Sequence, residues 1–373
     1  MTVHRHFNPT RLTLARKRRG LTMTKLAAAI GVEPRSVSAY EKGEFGPDNE
    51  RLGSLASVLG FPETFFFGDD LDEPTPDIAS FRALSKMTAG QRDTALGAGA
   101  IALMLNAWIE ERFELPSSDL PDLSREDNPE AAARALRQQW ALGELPVKNM
   151  IHLLEAKGVR VFSLSVDAAE VDAFSMWRQS TPFVFLNTKK SAEHSRFDAA
   201  HELGHLVLHR HGSPHGREAE QQANAFASAF LMPKASVLAY APRMATIEHM
   251  IKLKKIWNVS VAALTYRLHA IGVLSDWHYQ SLYIELSSRG YRKKEPDEGL
   301  RETSQVLQKV FSTVRDEGVS RTQIADELCV PVDELDQLMF GLALTVLKGG
   351  KGSGNANSTK APQLRIVSSL EEI

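Results

Sequence analysis

Apolar residues follow a helical spacing over most of the chain, and short runs near its middle are instead strand-like. The predicted helical segments are rich in Leu and Ala and end at glycine or proline: residues 9–60 (as four or five short helices), 78–115, 129–142, 145–158, 193–210, 217–231 and 246–290. The strand-like runs are rich in Val and Phe and cover residues 159–166, 173–178 and 182–187. The pattern therefore predicts a mainly helical protein in which one domain also contains a small sheet.

Length and composition indicate a soluble protein of several domains. The chain has 373 residues, of which 43% are hydrophobic and 24% are charged, close to the average for globular proteins. Cys329 is the single cysteine, so a disulfide within the chain and a cysteine-based zinc site are excluded. The longest uncharged run, residues 94–109, is shorter than the roughly 20 residues that span a bilayer. We expect a cytoplasmic protein with no membrane segment.

Charge is distributed unevenly, although the formal net charge is only −2. Residues 1–30 contain seven basic side chains and no acidic one, whereas residues 61–81 contain six acidic side chains and no basic one. This asymmetry indicates that the N-terminal end meets a polyanion. Residues 68–77 are interpreted as an acidic, flexible linker. Residues 348–373, which begin with a stretch rich in Gly, Ser and Asn, are expected to be mostly disordered.

The segment at residues 21–43 has the pattern of a helix-turn-helix motif. Thr22 is a candidate N-cap, and Gly31 can supply the tight turn between two short helices. The apolar positions that would pack the two helices together are Leu26, Ala27, Ile30, Val32, Val37 and Tyr40. The outward positions of the second helix, which suit the major groove of double-stranded DNA, are Arg35, Ser36, Ser38, Ala39 and Lys42.

This N-terminal stretch resembles the Xre/Cro-type helix-turn-helix family over about 50 residues. The resemblance implies that Arg16 of the first helix pairs with Glu41, which closes the recognition helix. We expect the domain to bind double-stranded DNA as a homodimer on a two-fold symmetric site. The candidate DNA-binding residues are Arg16, Thr22, Arg35, Ser36, Ser38 and Lys42.

The sharpest candidate for chemistry is the run His201-Glu202-Leu203-Gly204-His205 in a predicted helix. A spacing of four residues places His201 and His205 on one helical face, where both can bind one metal ion. Glu202 lies beside them and is placed to take a proton from water at the metal. The motif predicts a zinc peptidase, which needs a third protein ligand and leaves the fourth position to water.

Chemistry alone leaves the third ligand open among His209, His211, His215, Glu218 and Glu220. The Cα of His209 lies about 12 Å along the helix axis from that of His201, too far to share one ion comfortably. His211 has the third-ligand spacing of the metzincin pattern, but Leu208 stands where that pattern requires glycine. Glu218 and Glu220 remain equal candidates on chemistry.

Two spaced motifs, RFDAAHELGHLVLH (196–209) and EQQANAFASAFLMP (220–233), resemble those of the ImmA/IrrE-type zinc metallopeptidases. The similarity extends from about residue 131 to residue 295. It implies that Glu220, the glutamate of the E-x-x-A-N pattern, is the third zinc ligand. It also implies cleavage of a repressor or other regulatory protein in a stress, prophage or mobile-element response. Unlike stand-alone members of that family, this chain also contains a DNA-binding domain of the helix-turn-helix type.

Two other residues are candidates for supporting the reaction. Asn224, one turn after Glu220, could orient a metal ligand, although helix packing explains it equally well. Tyr266, beside Arg267, could stabilise an oxyanion. A core tyrosine beside a solvent-exposed arginine is the favoured alternative at that position.

Residues 319–341 align without gaps on residues 21–43, which indicates a second helix-turn-helix pattern. The apolar positions coincide, and Thr22 aligns with Ser320. The second copy is acidic where the first is basic, so DNA phosphates would repel it. We hypothesise the same fold used for protein–protein contact, with chance helical periodicity as the alternative.

The predicted fold class is a multidomain, mainly α protein with a small α+β zincin-like domain between all-helical terminal domains. The predicted divisions are a helix-turn-helix domain (1–67), the acidic linker (68–77), a helical connecting region (78–128), a zinc metallopeptidase domain (129–295), an acidic helix-turn-helix-like domain (296–347) and the tail (348–373).

The predicted function is a DNA-binding transcriptional regulator whose zinc endopeptidase domain cleaves a regulatory protein. The alternative is a transcription factor whose metal domain is a non-proteolytic sensor or partner-binding module. The presence of Glu202 favours the enzyme, because metal binding alone does not require it. Residues 181–187 are expected to form a sheet edge beside the metal, where an extended substrate adds a strand. The linker is a candidate for self-cleavage, with a separate repressor as the favoured substrate.

Overall fold

The structure, a computed structural model, describes residues 6–75, 80–81, 87–164, 173–211, 216–242, 245–343 and 365–366. It confirms the expected fold class, because these residues are mainly helical and the longer strands are confined to one small sheet. Within the described ranges, no helix combines the length and the apolar character that a membrane span requires.

The N-terminal unit is all-helical, as its glycine pattern predicts. Its helices are α1 (Pro9–Arg18), α2 (Met23–Ile30), α3 (Pro34–Lys42) and α4 (Asn49–Leu59), followed by a 3-10 turn over Glu63–Phe67. Thr22 caps α2 by accepting a hydrogen bond from the backbone nitrogen of Lys25. Gly31 ends α2 with a φ of 67°, in the left-handed region that favours glycine. Helices α2 and α3 therefore form the predicted helix-turn-helix.

A mixed sheet lies in the middle domain. The strands in chain order are β1 (Ser80–Phe81), β2 (Phe113–Glu114), β3 (Arg160–Ser163), β4 (Ala173–Arg178), β5 (Thr181–Leu186) and β6 (Arg365–Ile366). In the described residues the main sheet has the order β1-β4-β5-β3, with β4 antiparallel to both neighbours and β3 parallel to β5. Strands β2 and β6 form a separate antiparallel pair. Strands β3, β4 and β5 overlap the three runs that the sequence predicts.

Helices surround this sheet and bring the candidate site together. The helices of the connecting and middle regions are α5 (Ala89–Glu110), α6 (Pro129–Gln139), α7 (Met150–Ala156), α8 (Ala192–Leu208), α9 (Arg217–Leu231), α10 (Lys234–Tyr240), α11 (Ile247–Trp257), α12 (Val261–Ala270) and α13 (Asp276–Ser288). Helix α8 packs on β4 and β5, and α9 packs along α8. The two helices approach closely at Gly204, where a Cβ would lie 3.0 Å from Cδ1 of Phe226.

The expected helix over residues 78–115 is wrong at its N-terminal end. Strand β1 pairs with β4 in this part of the chain, and the helix begins later, at Ala89. Thr88 and Gln91 form a capping box that favours helix initiation at this point. The free hydrogen-bonding groups along a sheet edge accept a further strand, which outweighs the helical spacing of the residues before it.

Side-chain contacts hold the described part of the predicted linker, residues 68–75. The carboxylate of Asp70 accepts hydrogen bonds from Asn8 and Thr10, at 3.0 and 2.8 Å. Asp72 forms an ion pair with Arg178 at the end of β4. These contacts connect the segment to the start of α1 and to the sheet, whereas its role as a linker stays a prediction. Residues 76–77 of the predicted linker lie outside the described residues.

A second helix-turn-helix is present near the C-terminus. Its helices are α14 (Gln305–Asp316), α15 (Arg321–Glu327) and α16 (Val332–Met339). Ser320 caps α15 as Thr22 caps α2. Cys329 has a φ of 54° at the position that aligns with Gly31. This match in capping and turn geometry favours a repeated motif over chance periodicity. Apart from β6, residues 344–373, which include the predicted tail, lie outside the described residues.

The acidic second motif packs against the basic first helix. Glu334 of α16 is fully buried, and its carboxylate accepts hydrogen bonds from Arg18 at 2.8 Å and from Arg19 at 2.7 Å. Gln337, one turn later, accepts from Arg18 at 2.5 Å. The contact is charge-assisted on both sides, which makes it stronger than a neutral hydrogen bond. The acidic motif is therefore engaged in a contact within the chain, and its use in contact with another protein stays a prediction.

We expect Glu334→Ala to lower the free energy of unfolding by about 3–5 kcal/mol, because it leaves the buried Arg18 without its counter-charge. Asp333→Ala is the matched control, since Asp333 lies 4.0 Å from Arg19 with a side chain that is 58% exposed. It should change stability by no more than about 0.5 kcal/mol. Urea titration of both variants measures the difference, and equal stabilities would contradict the role given to this contact.

Candidate metal centre and candidate DNA-binding surface

Helix α8 carries His201, Glu202 and His205 into the interior between the sheet and α9. All three side chains are buried, with exposures of 0%, 0% and 3%. The spacing of four residues places the two imidazoles on one helical face. Their Nε2 atoms lie 3.0 Å apart. The two imidazoles therefore lie side by side in the interior, and their role as metal ligands stays a prediction.

Glu220 at the start of α9 completes the cluster. Its two carboxylate oxygens lie 3.3 Å from Nε2 of His205 and 3.5 Å from Nε2 of His201. Tetrahedral zinc with nitrogen and oxygen ligands at about 2.0–2.1 Å requires ligand atoms roughly 3.3 Å apart. The donor set thus fits a metal ion of that kind in both chemistry and spacing. In the described residues these are the side chains that converge in this way.

The other candidates for a third ligand are placed elsewhere. Glu218 is exposed, and Nε2 of His211 lies 2.8 Å from the carboxylate of Asp122. His209 contacts Nδ1 of His205, the ring nitrogen opposite the one that lies near Glu220. His215 lies outside the described residues. Of the alternatives that lie in the described residues, Glu220 is therefore the one that approaches His201 and His205, and its role as third ligand stays a prediction.

Electrostatics keep Glu220 in its ionised form. Burial would raise the pKa of this carboxyl, but in the metal-free site hydrogen bonds from protonated His201 and His205, together with their charge, lower the pKa to about 2. A carboxylate that is ionised at neutral pH is the form that binds a cation.

Two polar side chains form hydrogen bonds with residues of this motif. Asn224 of α9 accepts a hydrogen bond at its Oδ1 from Nδ1 of His201, at 3.2 Å, and donates to the backbone oxygen of Glu220 at 2.7 Å. Ser175 of β4 donates its hydroxyl to the carboxylate of Glu202 at 2.7 Å. The sequence pointed to Asn224 but missed Ser175, because only the packing of α8 on β4 brings Ser175 to this helix.

The candidate DNA-binding surface is formed by α2 and α3. Arg35 and Lys42 of α3 and Thr22 at the start of α2 are exposed, and Ser36 and Ser38 are half-buried. Ala39, which was expected to face outward, is buried with 6% exposure. The recognition helix still presents two exposed cations and two half-buried hydroxyls, the group types that bind in a DNA groove.

Arg16 belongs to the interior of this domain and not to its DNA-binding surface. Its guanidinium donates to both carboxylate oxygens of Glu41, at 2.5 and 2.9 Å, and to the backbone oxygen of Leu21 at 2.8 Å. The residue is 8% exposed. The predicted pairing with Glu41 is therefore seen, whereas the inclusion of Arg16 among the DNA contacts is wrong because its donors are already engaged.

Comparison with known proteins identifies both regions. Residues 154–269 match a peptidase family described as the IrrE N-terminal-like domain, and residues 12–66 match the helix-turn-helix family. The chain is also similar to the HTH-type transcriptional regulator DicA of Escherichia coli, with 36% identity over 76 residues. That match covers 20% of this chain and 56% of DicA, so the chain spans about half the length of this curated relative. The chain joins an Xre-type helix-turn-helix domain to an IrrE-like domain.

The IrrE-like domain contains the whole candidate metal cluster, because all of its residues fall within 154–269. The family match starts inside α7 and ends inside α12. It lies within the predicted metallopeptidase domain, 129–295, whose outer boundaries stay predictions.

Tyr266 and Arg267 in the IrrE-like domain do not have the positions that the sequence led us to expect. Tyr266 is 51% exposed, whereas Arg267 is 3% exposed. Arg267 donates to the backbone oxygen of Met232 at 2.9 Å and pairs with Glu130 at 2.8 Å. The expected core tyrosine beside an exposed arginine is thus reversed. Arg267 connects α12 to α6 and to the end of α9, and a role of Tyr266 at the oxyanion stays a prediction.

The IrrE-like sheet offers a different edge from the one expected. Residues 181–186 form β5, which is hydrogen-bonded on both sides and cannot accept an additional strand. The strand that contacts Glu202 through Ser175 is β4. On its outer side β4 is paired with β1 at Phe174 and Ser175. The expectation of a substrate-binding edge at β5 is wrong because strand order depends on pairings distant in sequence.

Proposed function

We propose that the protein is a DNA-binding transcriptional regulator that also hydrolyses peptide bonds of a regulatory protein in a zinc-dependent reaction. The observation that carries the proposal is the convergence of His201, His205 and Glu220 beside the buried carboxylate of Glu202. Three protein ligands with a fourth position open are typical of catalytic zinc sites. The match to a peptidase family supports the same assignment.

Zn²⁺ suits the donor set of two imidazoles and one carboxylate, and when bound it would polarise the substrate carbonyl and lower the pKa of water. Residues around the proposed zinc site have supporting roles. Glu220, ionised at neutral pH, contributes negative charge to the site. Asn224 orients the ring of His201 so that its Nε2 faces the centre.

Glu202 is the group proposed to move the proton. Its carboxylate would accept a proton from the attacking water and pass it to the leaving amine, the usual work of a general acid–base residue. Ser175 restrains this carboxylate from β4 by donating its hydroxyl to Oε2. Burial of the whole side chain excludes bulk water, which strengthens the interactions within the site.

The proposed substrate is a repressor or another regulatory protein in a stress, prophage or mobile-element response, presented in extended form. We propose that the Xre-type domain acts on double-stranded DNA as a homodimer in the cytoplasm. Cleavage in the linker is disfavoured over residues 68–75, because contacts to Asn8, Thr10 and Arg178 hold that segment.

We predict about one zinc ion per chain, held by His201, His205 and Glu220. Glu220→Ala should lose the metal after dialysis, because two imidazoles alone leave the site incomplete. Glu218→Ala and His211→Ala are matched controls from the exposed neighbours, and both should retain it. Elemental analysis of the purified chains measures the zinc content. Metal retained in Glu220→Ala but lost in His211→Ala would contradict the assignment.

We predict that Arg35→Ala weakens binding to the preferred duplex by about 1–3 kcal/mol, because an exposed arginine at this position can contact a base edge. The duplex is obtained by selection from a randomised pool, and affinity is measured by fluorescence anisotropy at fixed salt. Arg125→Ala is the matched control, since this exposed arginine lies outside the Xre-type domain. Equal affinities for the two variants would remove Arg35 from the DNA contacts.

We predict that Glu202→Gln lowers the rate of proteolysis by a factor of about 10²–10⁴, because it removes the proton acceptor, while zinc content stays unchanged. Glu218→Gln, an exposed glutamate near the site, should behave as the unaltered chain. Zinc-loaded protein is incubated with candidate repressors and a proteome-derived peptide library, and masses of substrate and enzyme are followed. A mass loss confined to the enzyme would identify self-cleavage. Zinc binding without any cleavage would favour the non-proteolytic sensor or partner-binding module.

A further inference from the structure

His209 ends helix α8, and its ring lies against the ring of His205. The Nδ1 atoms of the two rings are 3.0 Å apart, which is hydrogen-bond distance. The other ring nitrogen of His209, Nε2, lies 2.9 Å from Oε1 of Gln222 on α9. The sequence predicts that His209 is too far along the helix to be a ligand. It nevertheless lies between the candidate ligand His205 and the side-chain amide of Gln222.

The direction of each hydrogen bond follows from the chemistry of the groups. An amide oxygen only accepts, so Nε2 of His209 donates to Gln222. A neutral imidazole carries one proton, and Nδ1 of His209 is therefore an acceptor. It receives the hydrogen bond from Nδ1–H of His205. The Nε2 atom of His205 then carries a lone pair, which is the form that binds a metal.

The lone pair on Nε2 of His205 is directed towards the other two candidate ligands, where a metal ion would lie. Nε2 of His205 lies 3.3 Å from a carboxylate oxygen of Glu220 and 3.0 Å from Nε2 of His201. His201 meets the same requirement with an amide, because Oδ1 of Asn224 faces its Nδ1. Helix α9 therefore supplies one candidate ligand, Glu220, together with Asn224 and Gln222, which set the proton positions on the other two.

We propose that His209 is a positioning residue that holds His205 in the Nδ1-protonated tautomer, and that Gln222 holds His209 in the matching one. The inference rests on the proposed metal site and adds the groups that prepare one of its ligands. Metal-binding histidines generally donate their second nitrogen to a carboxylate, a carbonyl or water, and loss of that partner costs about 10–100-fold in metal affinity. In this chain a second histidine takes that place.

Zinc affinity of the full chain, measured by competition with a chromophoric chelator, tests the proposal. His209→Phe keeps an aromatic ring but removes the acceptor, so affinity should fall about 10–100-fold. His209→Asn should restore most of it, because the Oδ1 of asparagine stands where Nδ1 stood and accepts a hydrogen bond. His211→Phe is the matched control, since His211 is exposed and pairs with Asp122. Its affinity should equal that of the unaltered chain.

A second pair of variants keeps the test decisive if His209→Phe fails to fold. Gln222 is half-buried, so its substitutions disturb packing less. Gln222→Glu keeps an acceptor oxygen and should bind zinc as the unaltered chain does. Gln222→Leu removes the acceptor and should lower zinc affinity about tenfold.

Cobalt(II) substitution gives a readout that a packing defect alone would not produce. In the unaltered chain, proton NMR should show exchange-protected, metal-shifted ring N–H signals from both His201 and His205. His209→Phe should lose the His205 signal to exchange with water and retain the His201 signal. Unchanged affinity and unchanged signals in His209→Phe and Gln222→Leu would overturn the proposal. Failure of the unaltered chain to bind zinc would instead overturn the proposed function on which it rests.

Discussion

The close approach of α9 to α8 is the contact on which the candidate metal centre depends. Gly204, between the two histidines, lacks a Cβ that would stand 3.0 Å from Cδ1 of Phe226 and 3.3 Å from Cα of Ala223. A larger residue would require Phe226 or the α9 backbone to shift by a few tenths of an ångström, and Glu220 lies on the same helix. The hydrogen-bonding partners of His201 and His205 also come from α9 or rest on it, so both the candidate ligand and these partners depend on how closely α9 approaches. The absence of a Cβ at Gly204 thus allows the close packing that brings the cluster together.

Features contained within a single helix could be predicted from the sequence, because helical geometry fixes their spacing. The pairing of His201 with His205 needs only a repeat of four residues, and the helix-turn-helix needs only caps, a glycine and an apolar face. The third ligand was beyond such reasoning. Glu218 and Glu220 differ in which side of α9 they occupy relative to α8, and only interhelical packing, or resemblance to a known family, separates them.

The predictions that failed concern contacts between residues distant in the chain. Strand order placed β5 inside the sheet, although its sequence reads equally well as an edge strand. The expected burial of Tyr266 and exposure of Arg267 are reversed, since an arginine can be buried when a backbone oxygen and a carboxylate accept its hydrogen bonds. Arg16 was assigned to DNA for its charge, but the same charge serves an internal pair with Glu41. The local sequence pattern identifies the type of each residue, whereas its function depends on the residues that contact it in the folded chain.

The two ends of the chain also limit how regulation can work. The contact of Glu334 with Arg18 and Arg19 holds the second helix-turn-helix on the first. On its other side the C-terminal region contacts the half of the chain that contains the candidate metal centre, where Glu155 of α7 accepts backbone hydrogen bonds from the start of α14 and burial raises its pKa to about 7. The first helix-turn-helix is therefore held against that half through packed, polar contacts. Residues 68–75 are held in the same way, so cutting them would first require breaking the contacts with Asn8, Thr10 and Arg178. The packing thus disfavours cleavage within this segment.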